Sequence, residues 1–408
     1  MMPSTQNFVR DRLTWLAYTM LAYIGFSQSI LGPLMPSLRT ELHLNYTLGG
    51  FLPATLATGL ILSGLLGDSL VRLGRRRIVF WSGAIGLASG VFLLGISHRF
   101  ELALIAVLAM GFGSSLTQVM IQALLSDHHA ERRAIAFTES NVAASLCATL
   151  TPLVLGILQS TEAGWRTIAL FVMIFLVALV LIFYRQPIPD SRVAPTQSIQ
   201  EKGRLPVSFW LYWIVLFFVV AVEMTIAVWA TDYLDSVAGL SRSEAVLGFS
   251  AFPAAMLIGR IAGSRLTRRW PSVTLLLIAL GITLVGFPLF WLARLPLLNV
   301  IGLFITGLGI ANLYPLTLSL AIGMAAEQAN KASARASLGV GTALLSAPLL
   351  LGWLADRLSL QTAYSLSIVL ALAACAIVLK NSGLSRGGST QSLLVYKLKP
   401  PSSTAPPE

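Results

Sequence analysis

Two carboxylates lie inside long apolar stretches of the chain, where an ionised side chain is costly. Glu223 falls near the middle of the apolar run 207–233, and Glu139 follows Arg133 by six residues. Burial favours the neutral form of a carboxyl group, so such a group can take up and release a proton near neutral pH. We predict proton exchange at Glu223 and Glu139. The alternatives are a structural hydrogen bond at Glu223 and an ion pair of Glu139 with Arg132 or Arg133.

Uncharged polar side chains recur at comparable depth in other apolar runs. They are Ser27, Gln28, Gln118, Gln122, Asn312 and Tyr314. Gln118 and Gln122 are four residues apart and therefore share one face of a helix. Amides and hydroxyls around a cavity suit a polyhydroxylated or amphiphilic small molecule, so we predict that these side chains contact a substrate. The alternative for each of them is an amide or hydroxyl that bridges two helices.

The composition requires a membrane around these residues. The chain has 408 residues, of which 56% are hydrophobic and 11% are charged, whereas soluble proteins are about 25% charged. We therefore predict an integral membrane protein. The net charge of +11 comes from arginines between apolar runs, which is typical of loops beside anionic lipid rather than of nucleic-acid binding. The histidines and the two cysteines show no metal-ligand spacing, so we expect neither a metal nor another cofactor.

Twelve apolar runs are long enough to span a bilayer. A bilayer core of about 30 Å needs about 20 helical residues, and unpaired backbone groups exclude other structures in runs of this length. We therefore predict an all-α protein with twelve transmembrane helices. The predicted spans are 13–37, 47–71, 77–97, 100–126, 133–159, 164–184, 207–233, 244–267, 272–292, 296–325, 330–355 and 361–380.

The positions of the lysines and arginines predict the orientation. Six of the 28 lie in or beside the loops that follow odd-numbered spans, and the other 22 lie in the termini or toward the even-numbered loops. We therefore predict that both termini are cytoplasmic. The proline-bearing connection 185–206 separates a six-helix bundle in residues 1–184 from a second bundle in 207–382. Residues 383–408 are expected to form a disordered cytoplasmic tail.

The two halves resemble each other at an offset of 195 or 196 residues. Four matches occur in order: Trp15-Leu16 with Trp210-Leu211, Gly64 with Gly259, Gly111-Phe-Gly113 with Gly307-Leu-Gly309, and Pro152-Leu-Val-Leu-Gly156 with Pro348-Leu-Leu-Leu-Gly352. The offset also places Gln28 opposite Glu223. Parallel repeats of six spans predict a binding site near the membrane midplane, where the halves meet.

The stretch "GLLGDSLVRLGRRRIVF", residues 64–80, resembles the signature G-x-L-x-D-R-x-G-R-R of major facilitator superfamily transporters. The matching residues are Gly64, Leu66, Asp68, Gly74, Arg75 and Arg76. The resemblance covers residues 10–382 and implies two pseudo-symmetric six-helix bundles, with spans 1, 4, 7 and 10 lining a cavity. It also implies that Asp68 contacts span 11, where Arg335 lies, and thereby holds one side closed. The alternative is a loop that only anchors the topology.

Spans 1, 5 and 7 are also similar to fucose-permease-like sugar–proton symporters. The similar stretches are "YIGFSQSILGPLMPSLRTEL", "ESNVAASLCATLTPLVLGIL" and "VEMTIAVWATDYL". Members of that branch often carry a Glu and, six residues later, a Trp in span 7, as in Glu223 and Trp229. The resemblance implies that Trp229 and Asn141 contact the substrate.

These observations predict a monomeric secondary active transporter of the inner (plasma) membrane. We expect it to move a small polar solute by alternating access with protons, and a sugar is one candidate. Two alternatives stay open: a proton-driven exporter of amphiphilic drugs or metabolites, and a membrane nutrient sensor that does not transport. We predict no enzymatic activity, because the spans contain no nucleophile motif. The sequence also has no P-loop, so we do not expect ATP to drive transport directly.

Overall fold

The computed structural model describes residues 9–73, 76–129, 132–162, 164–189 and 204–397, without the side chains of residues 67–73, 134 and 382–397. Sixteen α-helices account for most of this part of the chain. They are α1 Arg12–Gln28, α2 Leu31–Glu41, α3 Tyr46–Leu73, α4 Arg76–Ile96, α5 Phe100–His129, α6 Arg133–Gln159, α7 Ile168–Phe183, α8 Val207–Ser236, α9 Arg242–Phe249, α10 Ala251–Leu266, α11 Ser272–Leu292, α12 Pro296–Ile310, α13 Leu313–Gly323, α14 Ala329–Arg357, α15 Leu360–Ala363 and α16 Ser365–Lys397.

Eleven helical segments of the described chain are long and apolar enough to cross a membrane. They correspond to predicted spans 2 to 12. The first predicted span is divided into α1 and α2, and α1 alone has 17 residues, which is shorter than the length that a bilayer requires. The all-helical membrane architecture is therefore confirmed. The prediction of one continuous first helix is wrong, because the helix is interrupted at Ser29 and Ile30.

Prolines explain this interruption and two others, at the α9–α10 and α12–α13 junctions. A proline has no N–H to donate to the carbonyl four residues earlier, so each helix is interrupted close to that carbonyl. The prolines are Pro33, Pro253 and Pro315, and the corresponding carbonyls belong to Ser29, Phe249 and Ala311. Two of the three junctions, those of α1–α2 and α9–α10, lie against the central cavity described below.

The two halves repeat the same helix packing. In the first half α1 packs on α6, α5 packs on both α3 and α4, and α4 packs on α7. In the second half α8 packs on α14, α12 packs on both α10 and α11, and α11 packs on α16. Each pair in the first half corresponds to the pair six spans later. The pseudo-symmetry of the two six-helix bundles is therefore confirmed.

Glycine contacts reproduce the offset of the sequence repeat. A side chain at Gly111 would overlap the carbonyl of Leu56, and one at Gly307 would lie 2.7 Å from the carbonyl oxygen of Phe252. Gly307 follows Gly111 by 196 residues, and Phe252 follows Leu56 by the same number. These glycines therefore let α5 approach α3, and α12 approach α10, in the same way in both halves.

Replacing Gly111 with valine should destabilise the first bundle. The new side chain would force α5 away from α3, and overpacking of this kind costs about 1–3 kcal/mol. Thermal unfolding of the purified protein in detergent should show a lower midpoint for Gly111→Val than for wild type. Gly281→Val is the matched control, because the space beside Gly281 in α11 is open. Equal midpoints for the two variants would contradict this account of the α3–α5 contact.

Contacts between helix ends show which ends lie together. The Arg12 guanidinium donates a 2.8 Å hydrogen bond to the carbonyl of Ile182, so α1 begins where α7 ends. The side chain of Tyr212, near the start of α8, interacts with Asn381 in α16. We call the face where α1 and α8 begin the terminal face and the opposite face the seal face. These contacts do not test how the protein is oriented in the membrane, so the cytoplasmic location of the terminal face stays a prediction.

Candidate functional site

A cavity of about 450 Å³ lies between the two halves, within the usual range of small-molecule sites. Helices α1, α2, α3 and α6 line it from the first half, and α8, α9, α10 and α14 line it from the second. Its polar side chains are Gln28, Ser29, Asn141, Ser145, Glu223 and Arg260. The other lining residues are apolar side chains, glycines and prolines. A solute in this cavity would therefore meet a few polar groups on a largely apolar wall.

Glu223 brings a half-buried carboxylate to this cavity from α8. Within the described chain, this carboxylate has neither a hydrogen bond nor a salt bridge. The carboxylate interacts electrostatically with the positive charge of Arg260 in α10. It also interacts electrostatically with Tyr314 in α13. The carboxylate is therefore available to a proton or a solute.

Arg260 is the second charged residue of the described cavity wall. It is exposed, and its Nη1 donates a 3.0 Å hydrogen bond to the hydroxyl of Ser145 in α6, across the boundary between the halves. Arg260 was not among the residues predicted from the sequence to form the site. The available signal was an arginine inside the apolar run 244–267, where a charged residue is a functional candidate by default.

Gln28 and Asn141 are the predicted amides that line the cavity. The Gln28 amide nitrogen donates a 2.7 Å hydrogen bond to the hydroxyl of Ser114, and the Asn141 amide nitrogen donates to the carbonyl of Phe137 at 2.7 Å. In both cases the amide oxygen can still accept a hydrogen bond. Gln28 and Glu223, 195 residues apart in the sequence, face the same cavity from equivalent helices.

Trp229 does not line the cavity. Its side chain is fully buried, and its ring packs edge-on against Tyr46 with ring centroids 5.7 Å apart. The indole nitrogen donates a 3.0 Å hydrogen bond to the carbonyl of Pro348. Trp229 therefore joins α8 to both α3 and α14, on the side of the cavity toward the seal face.

The remaining predicted substrate contacts also lie outside the cavity lining. Ser27 is fully buried, Gln118 and Asn312 are half-buried, and Gln122 and Tyr314 are exposed. The Asn312 amide nitrogen donates a 2.7 Å hydrogen bond to the carbonyl of Gly259 and so connects the α12–α13 junction to α10. All five residues were predicted to contact a substrate because of their depth in the apolar runs. Depth does not determine which side of a helix faces the cavity.

Glu139 lies at the terminal face, outside the cavity lining, in a bidentate ion pair. Arg10 donates to its two oxygens from Nε at 2.8 Å and from Nη2 at 2.6 Å. The Tyr18 hydroxyl donates a third hydrogen bond, at 3.0 Å. These bonds connect the start of α1 to α6. They occupy the carboxylate that we predicted to exchange protons.

Part of the predicted gate lies outside the described residues, namely the side chain of Asp68 together with Gly74 and Arg75. Gly64 is exposed, with open space beside it. Arg76 is buried, and its guanidinium forms a 2.7 Å ion pair with Asp127, so the start of α4 is held to the end of α5. The Arg335 carbonyl accepts a 2.7 Å hydrogen bond from Trp213. The predicted contact of Asp68 with span 11, where Arg335 lies, stays a prediction.

A buried ion pair closes the cavity toward the seal face. Arg39 of α2 and Asp232 of α8 are 2.5 Å apart, and their side chains are only 17% and 3% exposed. The Arg39 guanidinium also stacks on the Tyr46 ring, with its central carbon 3.4 Å from the ring centroid. Close by, Arg242 donates a 3.0 Å hydrogen bond to the Thr40 hydroxyl. We call this group of contacts between the halves the seal.

Asp356 extends the seal from α14 to the start of α3. Its carboxylate accepts hydrogen bonds from the backbone N–H of Tyr46 at 2.9 Å and of Thr47 at 2.7 Å. These N–H groups have no partner inside their own helix, and a carboxylate is favoured at this positive helix end. This capping interaction joins the two halves and was not predicted, because the residues are separated by about 310 positions.

Glycines bring the backbones together around the seal. A side chain at Gly32 of α2 would overlap the carbonyl of Ala227 in α8, and one at Gly352 of α14 would overlap the carbonyl of Tyr46. At the other end of the cavity, the side chains of Asn141 and Arg260 are exposed. The cavity is therefore closed toward the seal face and open toward the terminal face.

Comparison with known proteins identifies the family. A model of the Major Facilitator Superfamily matches residues 17–321, about three quarters of the chain. The chain belongs to the Major Facilitator Superfamily. Its cavity between two parallel repeats is the kind of site that such repeats form. The protein is therefore a multi-pass membrane protein of a transporter superfamily, whereas its assignment to the fucose-permease-like branch stays a prediction.

Individual relatives are distant. An uncharacterised transporter of Sinorhizobium fredii is 31% identical over 142 residues, which cover 35% of this chain and 38% of the relative. An uncharacterised superfamily transporter of Yersinia pestis is 23% identical over 91% of this chain and 97% of its own length. The structure of a D-xylose–proton symporter superposes with a TM-score of 0.69 at 18% identity and covers 90% of this chain and 96% of its own. That likeness supports the superfamily fold.

Proposed function

We propose that this superfamily member is a proton-coupled secondary transporter that moves a small polar solute through the central cavity by alternating access. The observation that supports this most strongly is the unpaired carboxylate of Glu223 in a cavity between the two halves. A seal of non-covalent contacts at one face can open and re-form, as alternating access requires.

The carboxylate provides a physical route for coupling. In a hydrated, open cavity the ionised form of Glu223 is solvated, whereas closure around the group favours the protonated form. A proton taken up at one face can then be released at the other, after the halves have rocked. A solute that binds preferentially to one protonation state therefore moves together with the proton.

The residues that line the cavity are compatible with two classes of solute. Gln28 and Asn141 offer amide groups from the first half, which can bind the hydroxyls of a sugar-like solute. The apolar wall, with Phe252 and Met256 among its members, favours an amphiphilic solute and supports the exporter as the second candidate. The D-xylose–proton symporter similarity adds sugars to the solutes worth testing.

The lysine and arginine distribution supports placing both termini in the cytoplasm of a cell whose inner (plasma) membrane holds the protein. The terminal face is then cytoplasmic, and the structure is open to the inside. We further propose that one chain is the working unit, because both halves of the cavity come from the same chain.

Flux through reconstituted protein tests the proposal. The full chain in proteoliposomes is given a pH gradient and a panel of radiolabelled hexoses, small carboxylates and amphiphilic dyes. We expect at least one solute to accumulate beyond equilibrium, and a protonophore to abolish the accumulation. If flux of every solute equals that of protein-free vesicles, or if the protonophore leaves accumulation unchanged, the proposal fails.

A further inference from the structure

We propose that the solute is a monovalent organic anion with an apolar body, whose anionic group binds Arg260 while Glu223 holds the proton that travels with it. This inference rests on the proposed function, since it assigns a solute class to the same cavity. Three features of the cavity support it: the unused donors of Arg260, the balance of charge between Arg260 and Glu223, and the apolar composition of the wall.

Arg260 has the chemistry of an anion site. A guanidinium stays charged at any relevant pH and offers five N–H donors in a planar fork that fits a carboxylate. Within the described chain its side chain makes one hydrogen bond, to the neutral hydroxyl of Ser145, and it is exposed to the cavity. Most of its donors therefore point to no protein acceptor. A bound carboxylate would take two of them in a strong bidentate pair.

The charge balance then links the anion to a proton. Arg260 and Glu223 are the charged side chains of the described cavity wall, and they cancel when the cavity is empty. A bound anion would place two negative charges beside one positive charge, which disfavours ionised Glu223. Glu223 therefore takes a proton from water at the open face, and it returns that proton to water when the anion leaves at the other face. One anion and one proton move together, without net charge.

Neighbouring groups do not change this balance. Among the described residues, Tyr314 is the titratable group besides Arg260 that interacts electrostatically with Glu223, and an ordinary phenol is neutral near pH 7. Gln28, from the first half, is uncharged. A cationic solute would be repelled by the positive charge of Arg260, and a neutral solute would leave the charge balance between Arg260 and Glu223 unchanged.

The wall supplies the contacts for the apolar body. Met224 and Phe249, together with Phe252 and Met256, line the second-half side of the cavity beside the two charged groups. Aromatic rings and flexible thioethers accommodate apolar groups of varied shape. Leu56 and Leu60 face them from α3. The arrangement fits an amphiphile with one charged end better than a solute that is polar on all sides.

Matched probes test the anion preference directly. Binding to the purified full chain in detergent is measured for naphthalene-2-carboxylate, its carboxamide and 2-naphthylmethylammonium, and for decanoate, decanamide and decylammonium. We expect both carboxylates to bind more tightly than their neutral and cationic counterparts. Tighter binding of the amides or of the ammonium compounds, or no binding of either carboxylate, would overturn the inference.

Variants at Arg260 assign the preference to one side chain. Arg260→Gln should weaken carboxylate binding about 10- to 100-fold, as expected for loss of hydrogen bonds to a charged group, and Arg260→Lys should retain part of it. Arg265→Gln is the matched control, since Arg265 lies on the same helix outside the cavity lining. Wild-type affinity in Arg260→Gln would overturn the inference, provided that its thermal unfolding midpoint shows a folded protein.

Flux of a permanent anion separates this inference from the proposed function. Naphthalene-2-sulfonate stays ionised and cannot carry a proton itself, so its uptake into proteoliposomes should be accompanied by proton uptake and should not respond to an imposed membrane potential. If a neutral sugar accumulates with protons while the sulfonate does not move, the anion inference fails and the proposed function stands. If the sulfonate moves without protons, proton coupling fails while the anion preference stands.

Discussion

Replacing Glu223 with glutamine is expected to reduce solute accumulation under a pH gradient to equilibrium. Glutamine keeps the size of the side chain but cannot carry a proton, so the gradient no longer performs work on the solute. Exchange of labelled for unlabelled solute at equal pH should stay measurable, because exchange needs only binding and rocking. Both quantities are measured on the same proteoliposome preparation, with the solute identified in the panel above.

Two carboxylates serve as controls for this prediction. Glu139 is held by Arg10 and Tyr18 outside the cavity lining, and Glu162 is exposed in the loop after α6. Glu139→Gln should lower stability modestly, since exposed ion pairs contribute little, and both controls should accumulate solute like wild type. Full accumulation in Glu223→Gln would show that Glu223 does not carry the coupled proton. Loss of accumulation in Glu139→Gln alone would show that Glu139 carries the coupled proton instead.

Replacing Arg39 with glutamine is expected to shift the protein toward a state open at the seal face. The substitution leaves Asp232 buried and without its ion-pair partner, and breaking a buried pair in this way costs about 3–5 kcal/mol. That cost applies to the sealed state. The equilibrium between the state open at the terminal face and the state open at the seal face should therefore shift toward the latter by about 100-fold or more. Transport should fall, because the sealed state becomes rare.

Cysteine labelling measures this shift. A single cysteine at Ser29, which lines the cavity, is introduced after Cys147 and Cys375 have been replaced with serine. A membrane-impermeant maleimide added at the seal face should label it faster in Arg39→Gln than in the parent protein. Arg294→Gln is the matched control, an exposed arginine on the same face. Equal labelling rates in the Arg39 variant and its parent would show that this ion pair does not keep the seal closed.

The helical architecture and its repeat could be predicted from the sequence. Apolar runs of bilayer length predict helices because backbone groups must pair within lipid, and the glycine pairs at the 196-residue offset predict equivalent contacts. Gly111 and Gly307 show this, since each allows close approach to the helix that the offset specifies. The same register placed Gln28 opposite Glu223, and both residues line the cavity.

The rotation of each helix about its axis could not be predicted. Gln118 and Gln122 have the depth expected of a binding site, but α5 does not reach the cavity, because α5 packs on α3 and α4. Trp229 is close to Glu223 in sequence but faces Tyr46 and Pro348 instead. Long apolar runs give little indication of which side faces the cavity and which side faces another helix.

Partners that are distant in sequence were also missed. Arg39 and Asp232 are 193 residues apart, and Arg10 and Glu139 are 129 apart. Neither pair has a local pattern that the sequence could reveal. Arg260 was missed for a different reason. An arginine near the end of an apolar run is also compatible with a side chain that extends toward the membrane surface, and only the packing of α10 against α6 places it at the cavity.

The distance between the two halves at the seal face tests alternating access most directly. Spin labels at Thr161 and Arg294, exposed positions after α6 and α11, can be measured by double electron–electron resonance in lipid. Alternating access predicts two distance populations, a short one with the seal closed and a longer one with it open. Their ratio should change with pH in the wild type and stay constant in Glu223→Gln. A single distance that neither pH nor the Arg39→Gln substitution alters would contradict it.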